Sequence, residues 1–173
     1  MNRSCLERQL NKSRTLYINP GVLDLLDELR KRSWNIATTN GCFDLLHAGH
    51  VNFLQSCLSH PVASPRTALV VLVNDDISIK RMKGPGRPVY PEEQRLSMIR
   101  ALRCVHCAYL FSNPTPVFVL GKIKPDFHFK GEEWSNRDVP EESCVGKMVY
   151  LPHSIEGSTT STIERIRKME IGT

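Results

Sequence analysis

The segment that most constrains the fold of this chain is TALVVLV, residues 67–73, in which every residue after Thr67 is apolar. A strand with one face in water alternates apolar and polar residues, whereas a continuous apolar run is typical of a strand covered on both faces. The run stops at the polar stretch Asn74-Asp75-Asp76. It therefore predicts an inner strand of a sheet that has a layer of structure on each side.

Helical and strand-like segments alternate before this run. NPGVLDLLDELRKRS carries apolar residues at helical spacing and predicts a helix over about 20–32. WNIATT predicts a short strand that ends at the turn Asn40-Gly41, and AGHVNFLQSCL then returns to helical spacing. The sequence thus predicts a strand, a turn and a helix in succession.

The second half of the chain continues the alternation. PEEQRLSMIRAL has Pro91 in its first turn, early acids and later basic residues, as a helix dipole favours. Strands are predicted over 104–111, at DFHF and at KMVYLP, with a helix from near Thr115 and a last helix in STTSTIERIRKME. KRMKGPGRPVYP is predicted as part of a polar loop.

This pattern predicts an α/β fold, in which a parallel sheet of about five strands has helices on both faces and right-handed crossovers. No linker or internal repeat divides the sequence, so we expect an N-terminal extension at 1–18 and a single domain at 19–173. Ligands of such sheets bind beyond the carboxyl ends of the strands. The first strand-to-helix turn, with His47 and His50, is expected there.

Composition narrows the class of ligand. A net charge of +5 and a pI near 9.0 favour anions, and an aromatic content of 7% offers little material for stacking single-stranded nucleic acid. We therefore expect a phosphate-bearing small molecule, with neither nucleic acid nor membrane as a partner. The chain has no run of about 18 apolar residues, and its polar start lacks a secretory signal, so we expect a cytoplasmic protein.

The six cysteines, at 5, 42, 57, 104, 107 and 144, need not form disulfides in a cytoplasmic protein. RCVHC has the gap of a zinc knuckle, but no second Cys/His pair at suitable spacing completes a tetrahedral set. Its apolar neighbours favour a strand instead. No protein-bound metal is predicted.

The stretch TTNGCFDLLHAGH, residues 38–50, carries the chemistry. A helix N-terminus offers unpaired N–H groups and about half a positive charge. His47 and His50 share a helix face at i and i+3, and Gly49 between them allows close approach to the backbone. HAGH is therefore a candidate phosphate clamp, although a lone histidine in a protein is more often structural.

NGCFDLLHAGH and three later segments, NDDISIKRMKGPGRPVYPEEQR, PDFHFKGEEW and GSTT, resemble a nucleotidyltransferase family. That family contains glycerol-3-phosphate cytidylyltransferase and the heptose 1-phosphate adenylyltransferase that makes ADP-heptose. The resemblance runs from about residue 18 to residue 168. It implies a Rossmann-like nucleotidyltransferase fold and transfer of a nucleotidyl group to a phosphorylated acceptor.

The resemblance also assigns residues to roles. His47, His50 and Lys83 are the expected catalytic residues, and Asp44 is expected to brace the turn. The expected nucleotide-binding residues are Asn40, Gly41, Cys42, Phe43, Asp44, Gly49, Lys80, Arg95, Lys130, Gly131, Ser158, Thr159 and Thr160. Relatives usually carry glycine two residues before the serine of the last motif, whereas Gly157 here directly precedes Ser158.

The implied reaction is attack of a substrate phosphate on the α-phosphorus of a nucleoside triphosphate, with Mg²⁺ accompanying the triphosphate. The loop segments favour ATP and a heptose 1-phosphate, and the alternative is CTP with glycerol 3-phosphate or another phospho-alcohol. Glu132, Glu133 and Trp134 either contact the base or sugar or form a solvated loop. A homodimer is one of the assemblies that the sequence leaves open.

Three other classes compete with this interpretation. Class I aminoacyl-tRNA synthetases share the H-x-G-H turn, but this chain is too short for a tRNA-binding extension. A nucleotide sensor without turnover is expected to lose a phosphate contact, yet all of the motif residues persist. A basic nucleic-acid module would bind in a strongly salt-dependent way and consume no triphosphate.

Overall fold

The computed structural model describes residues 20–113, 115–152 and 159–170. Five strands form one sheet: β1 (Asn35–Gly41), β2 (Thr67–Asn74), β3 (Cys107–Phe111), β4 (Phe127–Gly131) and β5 (Lys147–Leu151). Their order is β3-β2-β1-β4-β5, and every pair is parallel. The predicted α/β fold with a five-stranded parallel sheet is confirmed. The expected N-terminal extension at 1–18 lies outside the described residues.

Helices connect the strands. They are α1 (Pro20–Lys31), α2 (Ala48–Ser59), α3 (Asp76–Lys83), α4 (Glu92–Arg100), α5 (Val117–Ile123) and α6 (Thr159–Glu170). Two short 3₁₀ turns, Glu132–Trp134 and Pro140–Cys144, follow β4.

The apolar run predicted as an inner strand is β2, and all eight of its residues are buried. Alternate residues of the strands face two separate cores. Leu69, Val71 and Val73 pack on the side of α2 and α4, whereas Val70 and Leu72 pack on the side of α1 and α5. Coverage on both faces is the reason why the run needs no polar alternation.

The prediction of a continuous polar loop after β2 is wrong, because α3 occupies its first part. The carboxylate of Asp75 accepts a hydrogen bond from the Ser78 amide at 2.8 Å and caps the helix. Asp76 lies in the first turn and Lys80, Arg81 and Lys83 lie in the last, as the helix dipole favours. Good capping thus forms a helix in a segment that contains few apolar residues.

The strand predicted over 104–111 begins only at Cys107. Cys104 belongs to the preceding turn, and both thiols are free. Within the described ranges, no group of three or more His, Cys, Asp or Glu side chains could hold a metal ion. None of the described helices is long and apolar enough to cross a bilayer.

Candidate nucleotide-binding site

His47 and His50 lie at the N-terminus of α2, directly beyond the carboxyl end of β1. His47 is the N-cap residue, and its backbone amide donates to Nδ1 of His50 at 3.3 Å. The two imidazole rings lie side by side with centroids 3.9 Å apart, and the His50 ring also contacts Phe43. The structure thus places both rings on one face at a helix N-terminus, as the i, i+3 spacing predicts.

The hydrogen bond to Nδ1 determines which ring nitrogen carries the proton of neutral His50. Because Nδ1 accepts the His47 amide, the ring proton lies on Nε2, which can donate to an anion. Burial lowers the pKa of His50 to about 4, and the charges of His47 and Lys83 act in the same direction. His50 is therefore a neutral donor at pH 7 before an anion binds.

Asp44 holds the turn before α2 against a distant loop. Its carboxylate accepts hydrogen bonds from Arg87 Nε at 2.7 Å, from the Val89 amide at 3.0 Å and from the Tyr90 amide at 3.1 Å. Burial tends to raise the pKa of Asp44, but these hydrogen bonds outweigh that tendency and lower it. Asp44 is an ionised brace, because both of its carboxylate oxygens already accept hydrogen bonds.

The last helix is attached to the same turn. Thr159, the first residue of α6, is buried and donates its hydroxyl proton to the backbone carbonyl of Asp44. This contact joins residues 115 positions apart and brings the N-terminus of α6 beside that of α2. Thr160 is exposed. Ser158 and the segment at His153–Gly157 lie outside the described residues, so their predicted contacts stay predictions.

Arg95 is expected from the resemblance to be a nucleotide-binding residue at the start of a helix, and the structure places its side chain in the interior. Its side chain is fully buried and donates to the carbonyls of Cys42 and Tyr90 and to the carboxylate of Asp76. All three guanidinium nitrogens thereby have protein partners. In this arrangement Arg95 supports the turn at Cys42 rather than facing the solvent side of the site.

Lys80 and Lys83 are both exposed and lie on α3. Lys83 is the last helical residue, and its charge reaches both His50 and Cys42, since it contributes to the shifts in their pKa values. Gly84 and Gly86 follow with φ of 88° and 91°, a backbone region that disfavours side chains. Lys83 is therefore a cation whose charge acts on His50, and it stands directly before a glycine-containing turn.

The turn itself leaves little free space. A Cβ at Gly41 would lie 3.1 Å from Cε2 of Phe43, so glycine fits there best. Phe43 is buried, Gly49 is half-buried in the first turn of α2, and burial raises the pKa of the Cys42 thiol. Asn40, the residue before Gly41, is half-buried and accepts a hydrogen bond from His128 through Oδ1 at 3.2 Å.

Lys130 and its neighbours form a second polar group at the carboxyl end of β4. Lys130 Nζ lies 2.7 Å from Oε1 of Glu141, and both side chains are almost fully buried. The ammonium also lies 4.4 Å from the ring centroid of Trp134, which is partly exposed. Gly131 is buried, whereas Glu132 and Glu133 are exposed.

The sequence predicts His47, His50 and Lys83 as site residues, but it does not predict the partners of Asp44, Lys130 and Asn40. Arg87 pairs with Asp44, Glu141 pairs with Lys130, and His128 contacts Asn40. Arg87 lies in the motif segment GPGRPVYP, so its positive charge could have indicated a partner for Asp44. The other two contacts join residues of separate strands and turns, and no local sequence pattern predicts them.

The family of the chain follows from comparison with known proteins. The model of the family described as cytidylyltransferase-like matches residues 38–163, which span the turn, both histidines and the start of α6. This match covers more than half of the chain. The chain therefore belongs to the cytidylyltransferase-like family, and the resemblance predicted from its motifs is confirmed.

Individual relatives place the chain within that family. It is 36% identical over 169 residues to the bifunctional protein HldE of Alkalilimnicola ehrlichii, covering 95% of this chain and 34% of the relative. The bifunctional protein HldE of Streptomyces coelicolor is 38% identical over 151 residues, covering 85% of this chain and 31% of the relative. The chain thus spans about a third of the length of these relatives.

A solved structure shares the fold. The lipopolysaccharide core biosynthesis protein of Thermoplasma volcanium matches with a TM-score of 0.55 and 25% identity, covering 71% of this chain and 98% of that protein. Its match supports the Rossmann-like architecture that the alternating sequence predicts.

Proposed function

We propose that this protein is a nucleotidyltransferase that couples a sugar phosphate to a nucleoside triphosphate and releases pyrophosphate. The observation that carries the proposal is the meeting of two helix N-termini with His47, His50 and Lys83 at one edge of the sheet. Thr159 at the start of α6 is bonded to Asp44, which stands three residues before His47. Such a set of donors and cations suits a polyphosphate.

The histidine pair donates to the triphosphate in this proposal. His50 presents Nε2–H while its Nδ1 accepts the His47 amide. Lys83 adds a full positive charge beside the pair. The amides at the start of α6, together with the hydroxyls of Ser158 and Thr160, hold the terminal phosphates, which depart as pyrophosphate. This role of the last motif is implied by the family resemblance.

The reaction needs no enzyme nucleophile or general base. A phosphate monoester has its second pKa near 6 and is largely ionised at pH 7. One of its oxygens attacks the α-phosphorus, a new P–O bond forms, and the bond between the α-phosphorus and the bridging oxygen breaks as that oxygen leaves with pyrophosphate. The protein aligns two anions that repel each other and stabilises the charge that develops on the leaving oxygen.

Mg²⁺ fits this site as a companion of the triphosphate. Asp44 is fully engaged with Arg87, Val89 and Tyr90, and Asp76 is bound to Arg95. These two carboxylates already accept hydrogen bonds from the protein, so phosphate oxygens and water would supply most of the ligands of the ion. When bound, it neutralises phosphate charge.

We assign the acceptor to the heptose 1-phosphates and the nucleotide to ATP. GPGRPVYPEEQR and PDFHFKGEEW resemble the ADP-heptose branch, and the relatives named HldE match most of this chain. A solved relative is named for lipopolysaccharide core biosynthesis, which is a pathway of carbohydrate metabolism. These names support a role in that pathway. The cytoplasmic location and a homodimer stay expectations from the sequence.

The alternative is a cytidylyltransferase that uses CTP and glycerol 3-phosphate or a related phospho-alcohol. The Glu-Glu-Trp ending after Gly131 favours it, because the glycerol-phosphate branch also carries acids before a tryptophan. Lys130 Nζ and Arg137 Cζ lie 4.4 Å and 5.0 Å from the ring centroid of Trp134. The residue is 38% exposed, so part of its ring is open to a ligand.

Pyrophosphate release measured with ATP and CTP, each against heptose 1-phosphate and glycerol 3-phosphate, tests this assignment. We expect turnover with ATP and heptose 1-phosphate. A nucleotide sensor would bind triphosphate without release, and a nucleic-acid module would do neither. Release from CTP and glycerol 3-phosphate alone would select the alternative.

A further inference from the structure

His128 is a fully buried histidine that lies outside the proposed catalytic set. It stands on β4 directly opposite Thr38 on β1. Its Nδ1 lies 2.8 Å from the Thr38 hydroxyl oxygen, and its Nε2 lies 3.2 Å from Oδ1 of Asn40. The ring therefore connects the buried hydroxyl of Thr38 to Asn40, the last polar side chain of β1 before the turn that leads to His47.

The partners define where the ring proton lies. Oδ1 of Asn40 only accepts hydrogen bonds, so Nε2 of His128 carries the proton. The Thr38 hydroxyl has one proton and two neighbouring acceptors, Nδ1 of His128 at 2.8 Å and the carbonyl of Phe127 at 3.3 Å, and the shorter distance favours donation to Nδ1. A neutral imidazole that accepts at Nδ1 carries its proton on Nε2. Burial lowers the pKa of His128 to about 3, and the charge of Lys130 acts in the same direction. The ring is thus neutral at the pH of any ordinary assay.

This arrangement orients the Asn40 carboxamide. A carboxamide can rotate to exchange its oxygen and nitrogen, but a donor at Oδ1 favours one of the two orientations. The amide hydrogens on Nδ2 are then directed away from His128 and stay available to another acceptor. Asn40 is half-buried and directly precedes Gly41, where the turn to the histidine pair begins.

We propose that His128 is a positioning residue that holds Asn40 with its amide hydrogens presented to an acceptor atom of the bound nucleoside triphosphate. The inference rests on the proposed function and adds a specific residue to it. It predicts that His128 affects nucleotide affinity through Asn40 and hardly affects the chemical step. A merely structural histidine would lower stability without that coupling.

A double-mutant cycle tests this role. The dissociation constant of ATP with Mg²⁺ is measured by calorimetry for the native protein, H128L, N40A and the double variant, together with KM and kcat. We expect H128L to weaken binding about five- to tenfold, with kcat changed less than twofold. The double variant should bind no more weakly than N40A alone, because both substitutions remove the same contact.

Two further variants separate positioning from packing. H128Q keeps a side-chain N–H donor and should recover most of the affinity, whereas H106L removes a different histidine, which accepts the Leu69 amide, and should leave affinity unchanged. If H128L does not fold, T38V gives the test, since it removes the donor to Nδ1 and keeps a similar volume.

The outcomes are distinguishable from failure of the proposed function. Additive effects in the cycle, or H128L and H128Q binding ATP equally weakly, would overturn the role of His128 while leaving the enzyme assignment intact. If the native protein binds neither ATP nor CTP, the proposed function and this inference both fail. Binding of ATP without turnover would contradict only the proposed catalytic activity. The double-mutant cycle would still measure the coupling between His128 and Asn40 through nucleotide affinity.

Discussion

Asp44 and Arg87 form a charge-assisted hydrogen bond of 2.7 Å between Oδ2 and Nε, and both side chains are largely withdrawn from water. Asp44 lies three residues before His47, whereas Arg87 lies in the turn beyond α3. The pair therefore connects the histidine segment to the segment that follows Lys83. This pair explains how the two segments, which are distant in sequence, are held in a fixed position relative to each other.

Replacing Arg87 with methionine should destabilise the protein by about 3 kcal/mol, because it leaves the Asp44 carboxylate buried without its cation. Urea denaturation monitored by circular dichroism measures the loss. The matched control is R66M, since Arg66 is an exposed arginine before β2. An Arg87 variant as stable as the control would contradict the bracing role.

His50→Ala should lower kcat far more than stability, since Nε2–H acts on developing phosphate charge. One such donor is worth roughly 3 kcal/mol, or about a hundredfold in rate. His60 at the other end of α2 provides the control, because its Nδ1 only accepts a local amide. Near-normal kcat in H50A combined with a much lower melting temperature would show that His50 is structural.

The stability of the native protein should fall as the pH is lowered from about 6.5 towards 5. The folded pKa of His50 is about 4, below its ordinary value of 6.5, so in this range the unfolded chain binds more protons than the folded one. The pKa values of His47, His106 and His128 are lowered as well, and these groups act in the same direction. H50Q should reduce this dependence without abolishing it, which urea midpoints at pH 7 and pH 5 would reveal.

Lys83→Ala should reduce kcat/KM by at least tenfold with little change in stability, because the exposed ammonium compensates triphosphate charge. Lys31 occupies the last turn of α1 and is also exposed, so K31A is a matched control. Protection of the bond after Lys83 from trypsin by nucleotide and Mg²⁺ would support closure of this segment. Unchanged activity in K83A would show that Lys83 has no role in the reaction.

The fold could be predicted from sequence because its signals are local. β2 is apolar throughout since both faces are covered, and the i, i+3 spacing alone put His47 and His50 on one face. The helix α3 was missed because its stability depends on the cap at Asp75 rather than on apolar periodicity. An N-cap residue after a buried strand is a signal that could have revealed it.

The supporting contacts could not be predicted for a different reason. Arg95 has the positive charge that a nucleotide-binding residue needs. Tertiary packing, however, buries it among hydrogen-bond acceptors of Cys42, Tyr90 and Asp76. Lys130 likewise meets Glu141 only because a 3₁₀ turn returns to the end of β4. Sequence supplies the charge of such residues, whereas the fold decides which partner they meet.

The most direct test of the account is steady-state pyrophosphate release by the native protein with ATP and heptose 1-phosphate, compared with CTP and the same acceptor. We expect a nucleoside-diphosphate sugar as product and a kcat/KM for ATP at least tenfold above that for CTP, about 1.4 kcal/mol of discrimination. Release of no pyrophosphate from either triphosphate, with heptose 1-phosphate or glycerol 3-phosphate as acceptor, would contradict the claim that this site transfers nucleotidyl groups.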